Sequence, residues 1–588
     1  MYSNTSYTSV CPHGVVVLVA DPKADFMYTR ASRFTTSGAP SEEILMSRVV
    51  EAAQNRGGTL CPICRALVSS NLGQHIRDTH GQEDFRRAIL RAKEHGTSDP
   101  EIGSLFGVTF RQLEKIVTEA CGANISVLRK PKAVKSWEPR DFVEETTTVW
   151  SFKQRGSWAT HSGRYRGNWS PYIPRNVILK YSQPGDVVLD FFVGGGTTAV
   201  EAKLLGRRCI ASDINPACIG LTLESLDFEP PTSLFKEFSV YEPQVFVADA
   251  RNLSHVPDNS IDLICAHPPY AGIINYSSDI EGDLSRLRPD DFLREMKKVA
   301  EESYRVLKPE GKCAILIGDT RKQKHVVPIG FQTIDVFLRS RFRLRELIIK
   351  RQHNCKTTGF WYTKSIENNF LLLAHEYLPI FEKPKSPERA LLIKEGFRGY
   401  GHVSPSEAKR LSLKRKIQEL ETTTVWILPR EDFEKRLNKN VVDRYSGERG
   451  YVTIDFVSHC GGERRLHEQR GAKTNGLLFI KSSVLADNPF YLDVESYLRQ
   501  MQMIVKQELP GIVKGGFLAI QTQDVRINGY IEPLAKRVVD SIVSGDLWLK
   551  EIVVVTSTQG ERGSTKHVSS TDGLRITHQY LIIYEKVS

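Results

Sequence analysis

The sequence predicts an α/β protein centred on a mostly parallel, doubly wound, Rossmann-like sheet, and three observations carry that prediction. Residues 187–215, VLDFFVGGGTTAVEAKLLGRRCIASDINP, read as an apolar strand, a glycine turn, a helix, a second strand and a terminal acid. Two more strand-length apolar runs follow, QVFVAD at 244–249 and SIDLICA at 260–266. Residues 292–321, FLREMKKVAEESYRVLKPEGKCAILIGDTR, then read as a long helix and a strand reaching Asp319. Parallel strands need crossovers of this kind between them. A chain of 588 residues is too long for one core, so further domains are expected around this centre.

Each element has a chemical reading. Asp190 closes the first strand, and Gly194, Gly195 and Gly196 precede a helix expected from Thr197 to Leu205. Glycines there let the backbone pass close to a ligand at the strand tip. Asp213 ends the next strand, placed to accept hydrogen bonds from a ribose, and Asp249 ends the third, where a carboxylate can meet an adenine amino group. The fourth strand runs into His267, Pro268, Pro269 and Tyr270. Two consecutive prolines fix a rigid backbone with carbonyls left to accept, and the aromatic can stack on a planar ring.

Taken together, DFFVGGGTT, ASDINP, VADA and HPPY resemble the amino-methyltransferase family, which moves a methyl group from S-adenosylmethionine to exocyclic amines of adenine or cytosine in DNA. The resemblance covers about residues 146 to 385, and its order, cofactor motifs before the catalytic motif, is similar to the gamma arrangement. It implies cofactor-binding roles for Asp190, Phe192, Gly194, Gly196, Thr197, Asp213, Ile214, Asp249 and Ala250. GNWSPYIPRNVILKYSQPGD resembles the additional cofactor motif and adds Asn168, Pro171 and Arg175 near the methionine carboxylate. It assigns His267, Pro268, Pro269 and Tyr270 to the target base. Two positions depart from the family pattern. Phe191 stands where proline is usual, and His267 stands where Asp, Asn or Ser is expected. A neutral imidazole still accepts one hydrogen bond from an amine, so its protonation state would gate activity. Because His removes the usual clue, adenine N6 and cytosine N4 both stay open as targets. The target base must be flipped out of the duplex, with Tyr270 as its stacking surface.

Near the N-terminus, Cys61, Cys64, His75 and His80 are spaced C-x2-C-x10-H-x4-H, which can close a tetrahedral structural zinc site. The pattern resembles a C2H2 zinc finger at 61–80, with Leu67 and Leu72 expected in its small core. Residues 97–120 read as a helix-turn-helix. Ser98 or Asp99 caps the first helix, the turn falls at Gly107, and the second helix spans about Thr109 to Glu119. Ile102, Leu105, Val108, Leu113 and Ile116 are its expected core, with Thr109, Arg111, Gln112 and Lys115 facing outward, the last three as DNA contacts. A helical hairpin that merely packs on the finger is the plainer alternative.

The words ETTTVW occur at Glu145–Trp150 and again at Glu421–Trp426, and 292–350 laid on 497–555 without a gap gives twelve identities in 59. A duplication follows. The second copy lacks the glycine turn and the ribose acid, and SHCGG (458–462) is expected where AHPPY stands in the first. It is expected to bind no cofactor, to build a half sheet needing a partner surface, and to serve as a target-recognition or dimer-like scaffold lobe. The expected domains are therefore 1–140, 141–385, a basic linker 386–420 with a short helix near 408–420, and 421–588. In the first sixty residues only the strand-like GVVVLVAD (14–21) is informative.

Composition bounds the setting. The net charge of +11 favours a polyanionic partner, double-stranded DNA on this reading. Ten scattered cysteines argue against a disulfide framework. No apolar run spans a bilayer and the first residues lack a signal peptide's pattern, so a cytoplasmic, nucleoid-associated location is expected. A modification or defence system, with a restriction partner, is the setting the resemblance implies; the oligomeric state stays open. Two other readings stay beside it: a DNA-binding regulator with an inactive fold, and an RNA guanine-N2 methyltransferase.

Overall fold

The structure is a computed structural model. It describes residues 59–68, 71–109, 134–163, 167–231, 239–270, 280–353, 359–385, 420–457, 463–469, 474–482, 491–542, 544–558 and 573–588, with a few isolated positions between them. The chain forms two compact units. The first comprises Met1–Pro139, Ser157–Asn168 and Gln183–Ser260; the second comprises Arg140–Gly156, Trp169–Ser182 and Ile261–Ser588.

In the first unit, β1 (Thr59–Leu60) and β2 (Leu67–Val68) form a short antiparallel hairpin, followed by α1 (Leu72–His80), α2 (Gln82–Glu94) and α3 (Asp99–Phe106). The caps are written in the sequence. Asn71 accepts from Gln74 N–H at the start of α1, and Ser98 with Glu101 forms a reciprocal capping box at the start of α3. Val68, Leu72, Ile76, Phe85, Ile89, Ile102, Phe106, Val108 and Leu113 share one buried cluster, so the hairpin and the helices are a single core. Then come β3 (Val187–Asp190), α4 (Thr197–Leu204), β4 (Arg208–Asp213), α5 (Pro216–Leu226) and β5 (Gln244–Val247), with the strands parallel in the order β3-β4-β5. Helix α3 lies against α5 where Gly103 has no side chain: a Cβ there would stand 3.1 Å from Leu223 Cδ1.

Two expectations fail in this unit. Leu67 is 57% exposed, and its neighbour Val68 takes the core place, because successive strand residues point to opposite faces. Thr109 is buried instead of facing outward, since it caps the next helix: its Oγ1 accepts from Gln112 N–H (3.1 Å) while Gln112 Oε1 accepts from Thr109 N–H (2.8 Å). Arg111, Lys115, linker residues 386–419 and most of GVVVLVAD lie outside the described residues.

The second unit holds both copies of the duplication. The first copy contributes β6 (Ile261–Ala266), α6 (Pro289–Val306), β7 (Leu307–Ile315), α7 (Ile329–Arg339), β8 (Arg343–Arg351) and β9 (His375–Glu382). Its strand order is Val149–Ser151, β8, β9, β7, β6, with β9 antiparallel to both neighbours. The second copy contributes β10 (Val425–Leu428), α8 (Phe433–Tyr445), β11 (Tyr451–Val457), β12 (Glu463–Gln469), β13 (Asn475–Ser482), α9 (Tyr491–Glu508), β14 (Ile512–Thr522), α10 (Leu534–Ser541), β15 (Leu547–Ser557) and β16 (His578–Lys586). Its sheet has seven strands in the order β10-β15-β16-β14-β13-β11-β12, not half a sheet.

That order also corrects a placement. The strand paired beside β14 is β13, so register puts Lys481 where the first copy has His267 and Ser482 where it has Pro268. SHCGG itself (458–462) lies outside the described residues. A second repeated word, HEYLPIFEK at 375–383 and HQYLIIYEK at 578–586, belongs to the matched strands β9 and β16.

The copies join reciprocally. Arg321 bonds Glu551 Oε2 (2.6 Å), and its counterpart Arg526 bonds Glu346 Oε2 (2.6 Å). Both strands β8 and β15 carry a register break at matched places, Leu344/Glu346 and Leu549/Glu551. The carbonyls inside those breaks, Arg345 and Lys550, accept from Arg526 and Arg321. Leu371 N–H donates to Glu551 Oε1 and Leu574 N–H to Glu346 Oε1. Two buried chains repeat the symmetry, Thr424–His375–Tyr377–Asp319 and Thr148–His578–Tyr580. Burial lowers the two imidazoles to about 4 and about 3, so both stay neutral.

A buried carboxylate that loses its cation keeps its desolvation penalty. Arg526→Met should therefore cost about 3–5 kcal/mol, read as a lower urea midpoint. Adding Glu346→Gln should recover most of that loss by removing the stranded charge. Equal midpoints for wild type and Arg526→Met would show that the pair contributes little.

Candidate functional site

The glycine turn of the first unit is a close-packed cradle. Gly194 and Gly196 take φ of +52° and +84°, which side-chain-bearing residues rarely adopt. A Cβ on Gly194 would stand 2.8 Å from Tyr165 Cε1, one on Gly195 2.9 Å from Asn168 Nδ2, and one on Gly196 3.1 Å from Thr222 Cα. Asn168 Oδ1 accepts from Thr197 Oγ1 (2.6 Å), tying the segment before the fold to the start of α4. Asp213 braces the turn with one oxygen, accepting from Gly194 N–H (3.0 Å), and accepts from Asn215 N–H with the other (2.9 Å).

Asp190 is buried beneath this cradle and accepts from Phe192 N–H (3.0 Å). Burial pushes its carboxyl up to about 7, the charge of Asp213 adding to this and hydrogen bonds from Thr198 and Phe192 opposing it. Asp249 is paired with Arg251, whose Nη2 lies 2.6 Å from Oδ2. Ala250 is buried; Phe192 and Ile214 are half-buried. Pro171 and Arg175 belong to the second unit, where Pro171 precedes the helix Tyr172–Tyr181 and the Arg175 guanidinium lies 5.2 Å from the Phe142 ring centre.

In the second unit His267, Pro268, Pro269 and Tyr270 leave the tip of β6. His267 Nε2 is 2.9 Å from Tyr270 Oη, and that hydroxyl donates to Glu376 Oε1 (2.6 Å). Glu376 Oε2 in turn accepts from Lys350 Nζ (2.7 Å). Glu376 is on β9 and Lys350 directly opposite on β8. Trp169 stacks on the imidazole with ring centres 5.5 Å apart and planes at 23°. Burial lowers His267 to about 4, Glu376 countering and Lys350 reinforcing the shift. Burial alone would raise Glu376, but Lys350, His267 and the hydrogen bonds from Lys350 and Tyr270 hold it near 2. Gly318 leaves the tyrosine room, since a Cβ there would stand 3.1 Å from Tyr270 Cε2.

The structure thus brings Asn168, Thr197, Gly194, Gly196 and Asp213 together in one unit, and His267 to Tyr270 with new partners in the other. Tyr165, Trp169, Lys350 and Glu376 were missed. The first two sit inside or beside the quoted upstream motif, whose aromatics were the available signal; the last two meet only through strand pairing.

A third group lies in the first unit. The ligand atoms of Cys61, Cys64, His75 and His80 all fall within 4.8 Å of one another, with Cys64 Sγ 3.3 Å from His75 Nε2 and Cys61 Sγ 3.6 Å from His80 Nε2. Backbone N–H from Ala66 and the His75 hydrogen bond lower Cys64 to about 7, which favours the thiolate.

These features define an α/β protein with a glycine cradle and an acid at the next strand tip, the architecture of nucleoside-cofactor sites. The family is explicit in comparison with known proteins. The chain belongs to the N6/N4 DNA methylase family, whose model matches residues 117–224 and 261–459, just over half of its length. It is similar to the type II methyltransferase M2.DpnII of Streptococcus pneumoniae, 36% identical over 81 residues, 14% of this chain and 29% of that protein. It is also similar to type II methyltransferase M.BsoBI of Geobacillus stearothermophilus, 33% identical over 100 residues, 16% of this chain and 18% of that protein. A tRNA (guanine(10)-N2)-dimethyltransferase of Methanothermobacter thermautotrophicus is 32% identical over 130 residues, 22% of this chain and 34% of that protein. The chain thus spans about a third or less of the length of these relatives. Among solved structures, TrmN from Thermus thermophilus matches at 20% identity and a TM-score of 0.24 over 37% of this chain and 50% of that one. No helix among the described residues is long and apolar enough to cross a membrane.

The cradle makes a paired prediction. Gly196→Ala must hold an alanine at positive φ against the Thr222 backbone, costing about 1–2 kcal/mol for the conformation alone. Gly220→Ala, within α5 and with nothing within 4 Å of its Cβ, should stabilise by up to about 1 kcal/mol. Thermal unfolding midpoints should therefore move in opposite directions; a shift of the same sign in both would contradict the geometry.

Proposed function

We propose that this protein is a site-specific DNA amino-methyltransferase that uses S-adenosylmethionine to methylate adenine N6 or cytosine N4 of a flipped base. The observation that carries the reading is the neutral His267 beside Pro268, Pro269 and Tyr270 in a chain of the DNA methylase family. Seven of the eight curated relatives compared are type II methyltransferases, which supports DNA over RNA and a modification setting.

The residues fit the cofactor. A Cβ at Gly194, Gly195 or Gly196 would meet Tyr165, Asn168 or Thr222, so only glycine keeps this turn at the strand tip, and Asp213 on the next strand supplies the acceptor a ribose needs. Asn168, Thr197, Phe192, Ile214, Asp249 and Ala250 would line the same site, with Pro171 and Arg175 assigned to it by the resemblance. When bound, S-adenosylmethionine supplies an electrophilic methyl group. The protein's task is then positional. His267 accepts a hydrogen bond from the exocyclic amine, the Pro268 carbonyl accepts the second, and the nitrogen lone pair is drawn out of conjugation toward a nucleophilic geometry. Tyr270 offers its ring as a wall for the extruded base. Below about pH 4 His267 gains a proton and ceases to accept, so activity should be lost as pH falls through that value.

Cys61, Cys64, His75 and His80 fit a structural zinc ion, with two thiolates and two imidazoles already converging. The zinc finger and helix-turn-helix serve on this reading as a DNA-docking module, with Arg111, Gln112 and Lys115 as contacts. For residues 421–588 we favour the scaffold role over target recognition, because the reciprocal Arg–Glu contacts engage that copy with the first.

Incubation with methyl-tritiated cofactor and varied DNA, then digestion to nucleosides, should label N6-methyladenine or N4-methylcytosine, with His267→Ala about a hundredfold slower. Label found only in guanine of RNA would favour the RNA reading, which the tRNA-enzyme similarity keeps in view. No label in any nucleic acid would favour the regulator. Metal analysis should find one zinc per chain, lost in Cys64→Ser, and removal by chelation should unfold the 61–113 core.

A further inference from the structure

We infer that Glu376 and Lys350 are positioning residues that, through Tyr270, lock His267 in its Nε2–H tautomer and so present Nδ1 as the lone pair offered to the target amine. This rests on the reading of His267 as the amine acceptor.

An aspartate, asparagine or serine at the first motif position presents an oxygen, which can accept in any protonation state the reaction meets. A neutral imidazole has one acceptor and one donor, and the wrong tautomer would turn an N–H toward an N–H. Hydrogen bonds on the far nitrogen decide which tautomer is present. Here the chain has a fixed direction. Glu376 is an ionised carboxylate and can only accept, so the Tyr270 hydroxyl donates to it over 2.6 Å. The Tyr270 oxygen is then left to accept from His267 Nε2–H over 2.9 Å. A neutral ring protonated at Nε2 has its lone pair at Nδ1.

Lys350 anchors the far end. Its ammonium lies 2.7 Å from Glu376 Oε2, and the two residues are directly paired across β8 and β9, so sheet register sets their meeting. Trp169 fixes the plane of the imidazole. Among the described residues, Glu376 and Lys350 are the charged groups whose fields act on His267.

The second copy argues against a purely structural pair. Its β15 and β16 have the same pairing, including the same register break, yet Val555 stands at the place of Lys350 and Gln579 at that of Glu376. Lys481 stands at the place of His267, and Gln523 at that of Gly318. The sheet forms without the pair, and the pair is present in the copy that has the imidazole.

The test uses the full-length protein with ring-15N histidine, the His267 signals being assigned by their loss in His267→Asn. Wild type should show Nε2 protonated at pH 7. In Glu376→Gln, Lys350 takes the amide oxygen, the amide N–H2 faces Tyr270, and the hydroxyl turns to donate to Nε2. The tautomer should invert to Nδ1–H and methyl transfer should fall about a hundredfold, with cofactor affinity unchanged. Adding Lys350→Met frees the amide to rotate, so Glu376→Gln/Lys350→Met should regain Nε2–H and roughly tenfold of the rate. An unchanged tautomer and rate in Glu376→Gln would overturn the inference even if wild type is a vigorous methyltransferase. Tautomer inversion in a wild-type background that methylates nothing would leave the relay standing and sink the functional reading instead.

Discussion

The second unit depends on two buried ion pairs that cross between its duplicated halves, Arg321 with Glu551 and Arg526 with Glu346. A buried carboxylate is tolerable only when its lone pairs are used, and here each accepts from a guanidinium and from a backbone N–H. The guanidinium in turn needs further acceptors. The register breaks in β8 and β15 supply them by turning a strand carbonyl out of the ladder. An irregularity that would weaken either sheet alone is thus the docking point for the other, and its occurrence in both copies gives the contact its two-fold character.

This pairing bears on the site through β9. That strand carries His375, held by Thr424 of the second copy, and next to it Glu376, held by Lys350 and Tyr270. The C-terminal copy therefore supports the strand that directs the imidazole, without contributing a motif residue of its own. In the second copy the sheet keeps the same pairing with Lys481 and Gln579 at the places of His267 and Glu376.

Local features were readable in advance because local physics decides them. The strand, glycine turn and helix at 187–204 follow from apolar runs and from backbone angles that only glycine adopts easily. The Ser98 cap, the Gly107 stop and the converging Cys and His ligands follow from spacing over one or two helical turns. Leu67 failed because in a two-residue strand a shift of one position exchanges the faces, and nothing in so short a run sets the phase. Thr109 failed because a capping residue folds its side chain back on the helix it starts.

What the sequence determined by itself was the set of parts: a glycine turn between two acid-tipped strands, an HPPY strand tip, a cluster of two cysteines and two histidines, and a duplication. Only the tertiary structure decided which parts meet. SHCGG was matched to HPPY by order along the chain, but the second copy is shorter by about seventy residues between its ETTTVW word and the matched block, and strand pairing puts Lys481 in that place instead. Lys350 and Glu376 look like any two strand charges until β8 and β9 pair them and Tyr270 reaches across. Periodicity and spacing report what lies within a few residues; the direction of a hydrogen-bond chain depends on groups brought together by folding, and no local pattern encodes it.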